Sequence, residues 1–134
     1  MKGSCLCRQV EYEITPPFKM FQYCHCSRCR KFTGSVHSAN IFVAPEQLQW
    51  LKGEDLVSTY ELPESKYLTT AFCKQCGSAL PAAIKGGANV LIPAGSLDDD
   101  PEIKPQQNMY WESRASWCIE TSELAKHAEL PPRK

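Results

Sequence analysis

The chain has 134 residues, in which 15 Lys and Arg balance 15 Asp and Glu, with 8 cysteines, 10 prolines and 7 glycines. That length supports one domain, residues 1–134, with its own core, and is too short for two. Balanced charge advertises no basic face for nucleic acid, and no apolar run approaches a membrane span.

Met1-Lys2-Gly3-Ser4-Cys5 enters a cysteine motif directly and shows no secretory apolar region, so the expected compartment is the cytoplasm. Val10, Tyr12 and Ile14 alternate with polar neighbours, the period of a half-buried strand, and Pro16-Pro17 ends it. A second strand is expected over 18–23, delivering the backbone to Cys24. Arg30 to Gly34 reads as one helical turn closed by glycine. Another strand is expected over 35–43, followed by a proline-opened turn at 44–48. Trp50, Leu51, Leu56, Val57 and Tyr60 are read as core of a hairpin around Lys52-Gly53-Glu54-Asp55.

A strand over 67–72 leads into Cys73-Lys74-Gln75-Cys76-Gly77, a knuckle whose glycine permits the tight turn. Short strands are expected over 79–84 and 90–92, on either side of Gly86-Gly87. Gly95 to Pro101 is a loop, and its Asp98-Asp99-Asp100 run reads as a solvated turn ahead of the alternative, a cation site. The last strands are expected at 109–111 and 117–119, with Trp111 and Trp117 in the core. Thr121 or Ser122 would cap a helical turn running to His127. The many short apolar runs make the fold mainly β.

Seven of the eight cysteines fall in close Cys-x-Cys and Cys-x-x-Cys spacings. Thiols so near in sequence rarely bridge each other without strain, yet converge readily on a metal. Cys5-x-Cys7 and Cys73-x-x-Cys76 are natural complements, each giving half a tetrahedron. Joined on Zn²⁺ they would close the long intervening loop and contribute folding free energy. The alternative pairs Cys73 and Cys76 with two of Cys24, Cys26 and Cys29.

In Cys24-His25-Cys26-Ser27-Arg28-Cys29 one turn can aim three sulfurs at a common centre. Three thiolates on Zn²⁺ leave a fourth corner for water or an incoming thiol, which the metal would hold as thiolate. Arg28, Arg30 and Lys31 flank this triple and are candidates to bind substrate carboxylates. A lone Cys118 beside tryptophan reads as a small buried residue; seated as fourth ligand, it would close the second site. His25 should project away from the centre its neighbours share, and His37 and His127 carry no partner signature.

Gly3-Ser4-Cys5-Leu6-Cys7, the Cys24–Cys29 motif with Arg30-Lys31 and Gly34-Ser35, and Phe72-Cys73-Lys74-Gln75-Cys76-Gly77 occur in a distinctive order. With Gly95-Ser96-Leu97-Asp98-Asp99 and the Trp117 region, this pattern resembles the glutathione-dependent formaldehyde-activating (CENP-V/GFA) family over roughly residues 3–119. The resemblance implies an Mss-like fold of several small coiled antiparallel sheets stapled by zinc. It implies one structural Zn²⁺ at Cys5, Cys7, Cys73 and Cys76, and a second Zn²⁺, the catalytic one, at Cys24, Cys26 and Cys29. The implied activity is addition of glutathione to formaldehyde, a carbon–sulfur lyase or synthase reaction. Two positions depart from the family: Arg8 stands where glycine is usual, and Asn108 where the pattern Pro-x-x-His ends. Asn108 cannot act as general base or imidazole ligand. The reading from another class is a non-catalytic zinc-stapled module that displays a surface to a protein or nucleic acid.

Overall fold

The computed structural model describes residues 1–18 and 20–133; Lys19, inside the second expected strand, and Lys134 lie outside them. The fold is mainly β, and the described residues form three small sheets. In the first, β1 (Lys2–Ser4) pairs antiparallel with β2 (Glu11–Ile14), and β2 with β5 (Leu48–Lys52). The second has five strands in the order β11-β3-β4-β10-β9. These are β3 (Met20–Cys24), β4 (Ser38–Val43), β9 (Ala82–Ala83), β10 (Val90–Pro93) and β11 (Gln107–Met109). Among the described residues only β11 runs parallel to its neighbour, with Asn108 beside Tyr23 and Met109 beside Cys24. The third sheet is β6 (Val57–Glu61), β7 (Thr69–Cys73) and β8 (Ala79–Leu80).

The alternation read in 10–14 has its physical cause in the first core. Tyr12 and Ile14 are fully buried against Phe21, Ile41, Val43, Val90 and Ile92, which face them from the five-stranded sheet. Each such side chain removed from water contributes about 1.5–3 kcal/mol. Gly3 lies flat on the Tyr12 ring, where a Cβ would collide, and the Tyr12 hydroxyl meets Ser96 Oγ at 2.6 Å. A second core holds Val10, Ala71, Leu80 and Ala82 together with Cys5 and Cys73, so the cysteine knuckles are built into it.

Several elements differ from expectation. Residues 48–61 do not form a hairpin, because β5 joins the first sheet and β6 the third. Gly53, at φ 74°, turns the chain between them, and Leu51 and Tyr60 are exposed rather than core. The expected strand over 79–84 breaks at Pro81, which has no N–H to give a ladder, and its halves enter different sheets. Residues 117–119 form no strand: a turn closed by the Cys118 N–H on the Ala115 carbonyl at 3.0 Å leads into irregular chain, and both Trp111 and Trp117 are exposed. The C-terminal turn is a 3₁₀ turn over Thr121–Glu123 that starts from Glu120, without a side-chain cap from Thr121 or Ser122. β1 had no signal in the sequence, since Lys2-Gly3-Ser4 carries no alternation. No helix among the described residues is long and apolar enough to cross a membrane.

Candidate functional site

The helical turn expected at Arg30–Gly34 starts earlier, as α1 (Ser27–Thr33), and ends at Gly34 with φ 65°. Cys26 takes the N-cap position with φ −63° and ψ 154°, and its sulfur accepts the Cys29 backbone N–H at 3.3 Å. Serine or aspartate normally performs this capping; here a sulfur does. Residues at N-cap and third helical position lie side by side, so the cap geometry itself brings Cys26 and Cys29 together. Cys24 arrives from the end of β3, and the ligand atoms of all three lie within 4.8 Å of one another.

This arrangement biases the thiols unequally. Cys24 is drawn down to about 6, first by the hydrogen bond from Cys29 and then, against the effect of burial, by the Cys26 N–H, the Cys26 thiol and the Arg28 charge. Cys29 is pushed up by the same bond and by burial. Without a metal, the hydrogen bond between them favours the proton on Cys29 and the charge on Cys24.

Cys5, Cys7, Cys73 and Cys76 form the other group, also within 4.8 Å. Cys5 and Cys7 sulfurs stand 3.5 Å apart and those of Cys7 and Cys73 3.9 Å. Tetrahedral zinc with bonds of about 2.3 Å places its sulfurs about 3.8 Å apart, so the donor set fits such an ion. In each pair the first sulfur accepts a backbone N–H, from five residues on at Cys5 and from two residues on at Cys73. The Val10 N–H donates to Cys5 Sγ and the Gln75 N–H to Cys73 Sγ, each at 3.3 Å. Gly77 closes the second knuckle at φ 76°, with its N–H on the Cys73 carbonyl at 2.7 Å. The Ser78 hydroxyl is the first cause that holds Cys76 down to about 5. At Cys7 the Gln9 N–H pulls downward, but burial and three neighbouring sulfurs push it up to about 12. The structure thus brings Cys73 and Cys76 to Cys5 and Cys7, not to the Cys24 triple.

Cys118 belongs to neither group and is half-buried at the end of the turn that begins at Ala115. The three-sulfur group instead opens on a cleft of about 300 Å³, lined by Cys24, Cys26, Cys29 and Arg28 among others. Arg28 is exposed there, its guanidinium 5.8 Å from the centre of the Tyr110 ring. Arg30 and Lys31 occupy the last turn of α1 and are not among the residues lining the cleft; their charge suits the helix C-terminus.

His25 points away from the sulfurs, as its place between two ligand positions suggested, and is fully buried. Its Nε2 donates to Asn108 Oδ1 at 2.9 Å, and its ring meets those of His37 and Trp111 edge-on at 5.0 Å each. His37 stacks on Tyr23 at 3.9 Å, and burial lowers its pKa. Asp98 and Asp99 serve the N-terminal strand, binding the Ser4 hydroxyl and the Lys2 N–H.

Sequence reasoning missed the other walls of the cleft, among them Gln22, Asn40, Ser65, Tyr67, Asn89 and Tyr110. They come from five separate stretches of chain, and no local spacing connects them. The only available signal was the position of Gln22 and Asn40 on strands flanking the Cys24 motif.

Fold and site together define a class: a small β protein carrying one four-sulfur group and one three-sulfur group, each able to hold a metal ion. The model of the family described as glutathione-dependent formaldehyde-activating enzyme matches residues 1–113, and the chain belongs to that family. A Halomonas elongata protein named "Putative glutathione-dependent formaldehyde-activating enzyme" is 28% identical over 131 residues, which cover 92% of this chain and 83% of the other. A crystal structure of a Rhodobacter sphaeroides protein shares the fold, with a TM-score of 0.64 at 20% identity, over 81% of this chain and 99% of that one.

Proposed function

We propose that this chain is a zinc-dependent enzyme that joins a small thiol such as glutathione to a small aldehyde such as formaldehyde, and splits the adduct in reverse as a carbon–sulfur lyase. The observation that carries this reading is the inequality of the two cysteine groups. Four sulfurs complete one tetrahedron, whereas three open on a cleft. Cys5, Cys7, Cys73 and Cys76 would hold a structural Zn²⁺, and Cys24, Cys26 and Cys29 the catalytic one. Bound at the second centre, zinc supplies a Lewis-acid position that keeps a substrate sulfur ionised at neutral pH.

In the forward direction the thiol loses its S–H bond and a sulfur–carbon bond forms. The carbonyl π pair moves to oxygen, which takes up the proton, so no atom is lost. The chain's own residues bind and orient. Arg28 meets a substrate carboxylate beside Tyr110, while Arg30 and Lys31 add positive field from the far end of the same helix. Gln22, Asn40 and Asn89 offer amides to the polar ends of a peptide-like thiol. Asn108 and His25 hold the strand end that presents Cys24. Residues 1–134 act as a single zinc-binding unit in the cytoplasm, without a membrane or nucleic-acid partner.

Metal analysis with a thiol titration tests this. The wild-type protein should bind two zinc ions per chain, and glutathione should change the spectrum of the cobalt-substituted form. Cys24→Ser should keep the fold and the four-sulfur ion, lose the second, and lose the adduct-forming activity about 100-fold or more. A Cys24→Ser protein with full turnover and full zinc content overturns the mechanism. One zinc per chain, indifferent to thiols, would instead favour a zinc-stapled binding module.

A further inference from the structure

We propose that Lys85 is a positioning residue that fixes one wall of the cleft. It lies outside both cysteine groups and does not itself line the cleft. Its side chain is half-buried, and Nζ donates to the carbonyl oxygens of Ser65, at 2.7 Å, and Leu62. Its backbone N–H also donates to the Tyr67 carbonyl at 3.2 Å. Residues 62–68 connect β6 to β7 and form a closed loop of their own. Leu62 N–H reaches the Leu68 carbonyl at 3.2 Å, and the Leu68 N–H reaches Ser65 Oγ at 3.1 Å. The Leu62 carbonyl also accepts the Ser65 N–H at 3.1 Å, and one ammonium with three donors bridges that carbonyl and the Ser65 carbonyl.

Two irregular segments of the cleft are joined in this way. Ser65, Tyr67 and Leu68 line it from the first loop, and Ile84 and Asn89 from the turn that carries Lys85. Each is the loop of a hairpin whose own ladder fixes its ends, β6 with β7 and β9 with β10, but no ladder joins one loop to the other; the lysine makes that tie, and the spacing of this wall depends on it. The half-buried ammonium replaces lost hydration with these carbonyl contacts, so removing its donors frees the loop. The inference rests on the proposed thiol-binding role of the cleft for its second half. Its first half, that Lys85 holds the loop, stands independently.

The test uses Lys85→Met, which keeps the aliphatic stem and removes every donor, and Lys85→Arg, which restores charge and donors. Limited trypsin digestion reads the loop at the exposed Lys66–Tyr67 bond, and glutathione titration of the cobalt-substituted protein reads the cleft. Lys85→Met should be nicked there about tenfold faster and bind the thiol about tenfold more weakly, with metal content unchanged. Lys85→Arg should return both toward wild type. If Lys85→Met does not fold, Lys85→Gln serves the same comparison. An unchanged nicking rate overturns the pin, and faster nicking with unchanged thiol affinity overturns its role in positioning substrate. A wild-type protein that ignores thiols refutes the function proposed for the centre, while the nicking rate still decides the pin.

Discussion

Asn108 Oδ1 accepts a hydrogen bond of 2.9 Å from Nε2 of His25, a side chain with 1% of its surface exposed. The contact crosses between parallel strand partners, since Met109 pairs with Cys24 and its carbonyl accepts the His25 N–H at 2.9 Å. Asn108 therefore occupies a place where it orients the Cys24–Cys26 turn and takes no proton. Asn108→Ala should destabilise the protein by about 1 kcal/mol, the low end for an orphaned buried donor, because water can reach the exposed side of Asn108. Urea denaturation measures this, and no change in midpoint would remove the bond from the ledger of stability.

Gly53 and Gly34 both sit at positive φ, yet their replacement should differ sharply. A Cβ on Gly53 would strike the backbone carbonyl of Gln9, whereas one on Gly34 would meet open space. Gly34→Ala should cost about 1 kcal/mol, the conformational penalty alone. Gly53→Ala should cost about 3 kcal/mol or more, since backbone must move where the first and third sheets part. Equal losses for the two variants in parallel unfolding curves would refute the close approach at Gln9.

Arg8 holds φ 63° in the turn after Cys7, where family resemblance leads one to expect glycine. A side chain in this region is strained by its Cβ. Arg8→Gly should raise stability by about 0.5–1 kcal/mol, or a few degrees in Tm, with the four-sulfur group unchanged. A lower Tm would mean that the Arg8 side chain makes up its backbone cost through contacts at the surface.

The Cys24–Cys29 proton arrangement has a pH signature in metal-free protein. The Cys29 hydrogen bond is the largest cause that lowers Cys24 to about 6, so Cys24 should be a thiolate above that pH and lose reactivity as pH falls through it. Alkylation by iodoacetamide, followed by mass spectrometry, should show Cys24 half-reacted near that pH while Cys29 stays protected. Cys29→Ala should move the Cys24 midpoint upward. Reactivity of Cys24 that first appears only at alkaline pH would contradict the shared proton.

The amino-acid sequence by itself determined what is local. Cys24, Cys26 and Cys29 lie within one turn, and Cys73, Cys76 and Gly77 within another, so short-range geometry dictates where their sulfurs can point. The alternation of Val10, Tyr12 and Ile14 likewise specifies a buried face without naming what buries it. Tertiary structure alone decided which sheet each strand entered: β5 and β6 look like one hairpin until Gly53, pressed on Gln9, sends them apart. It alone placed Arg28 in the cleft and Arg30 and Lys31 outside it, and left Trp117 and Cys118 out of core and metal group alike. It alone joined Lys85 to the loop at 62–68, because contacts between distant segments are chosen by competition for a shared interior, which no window along the chain records.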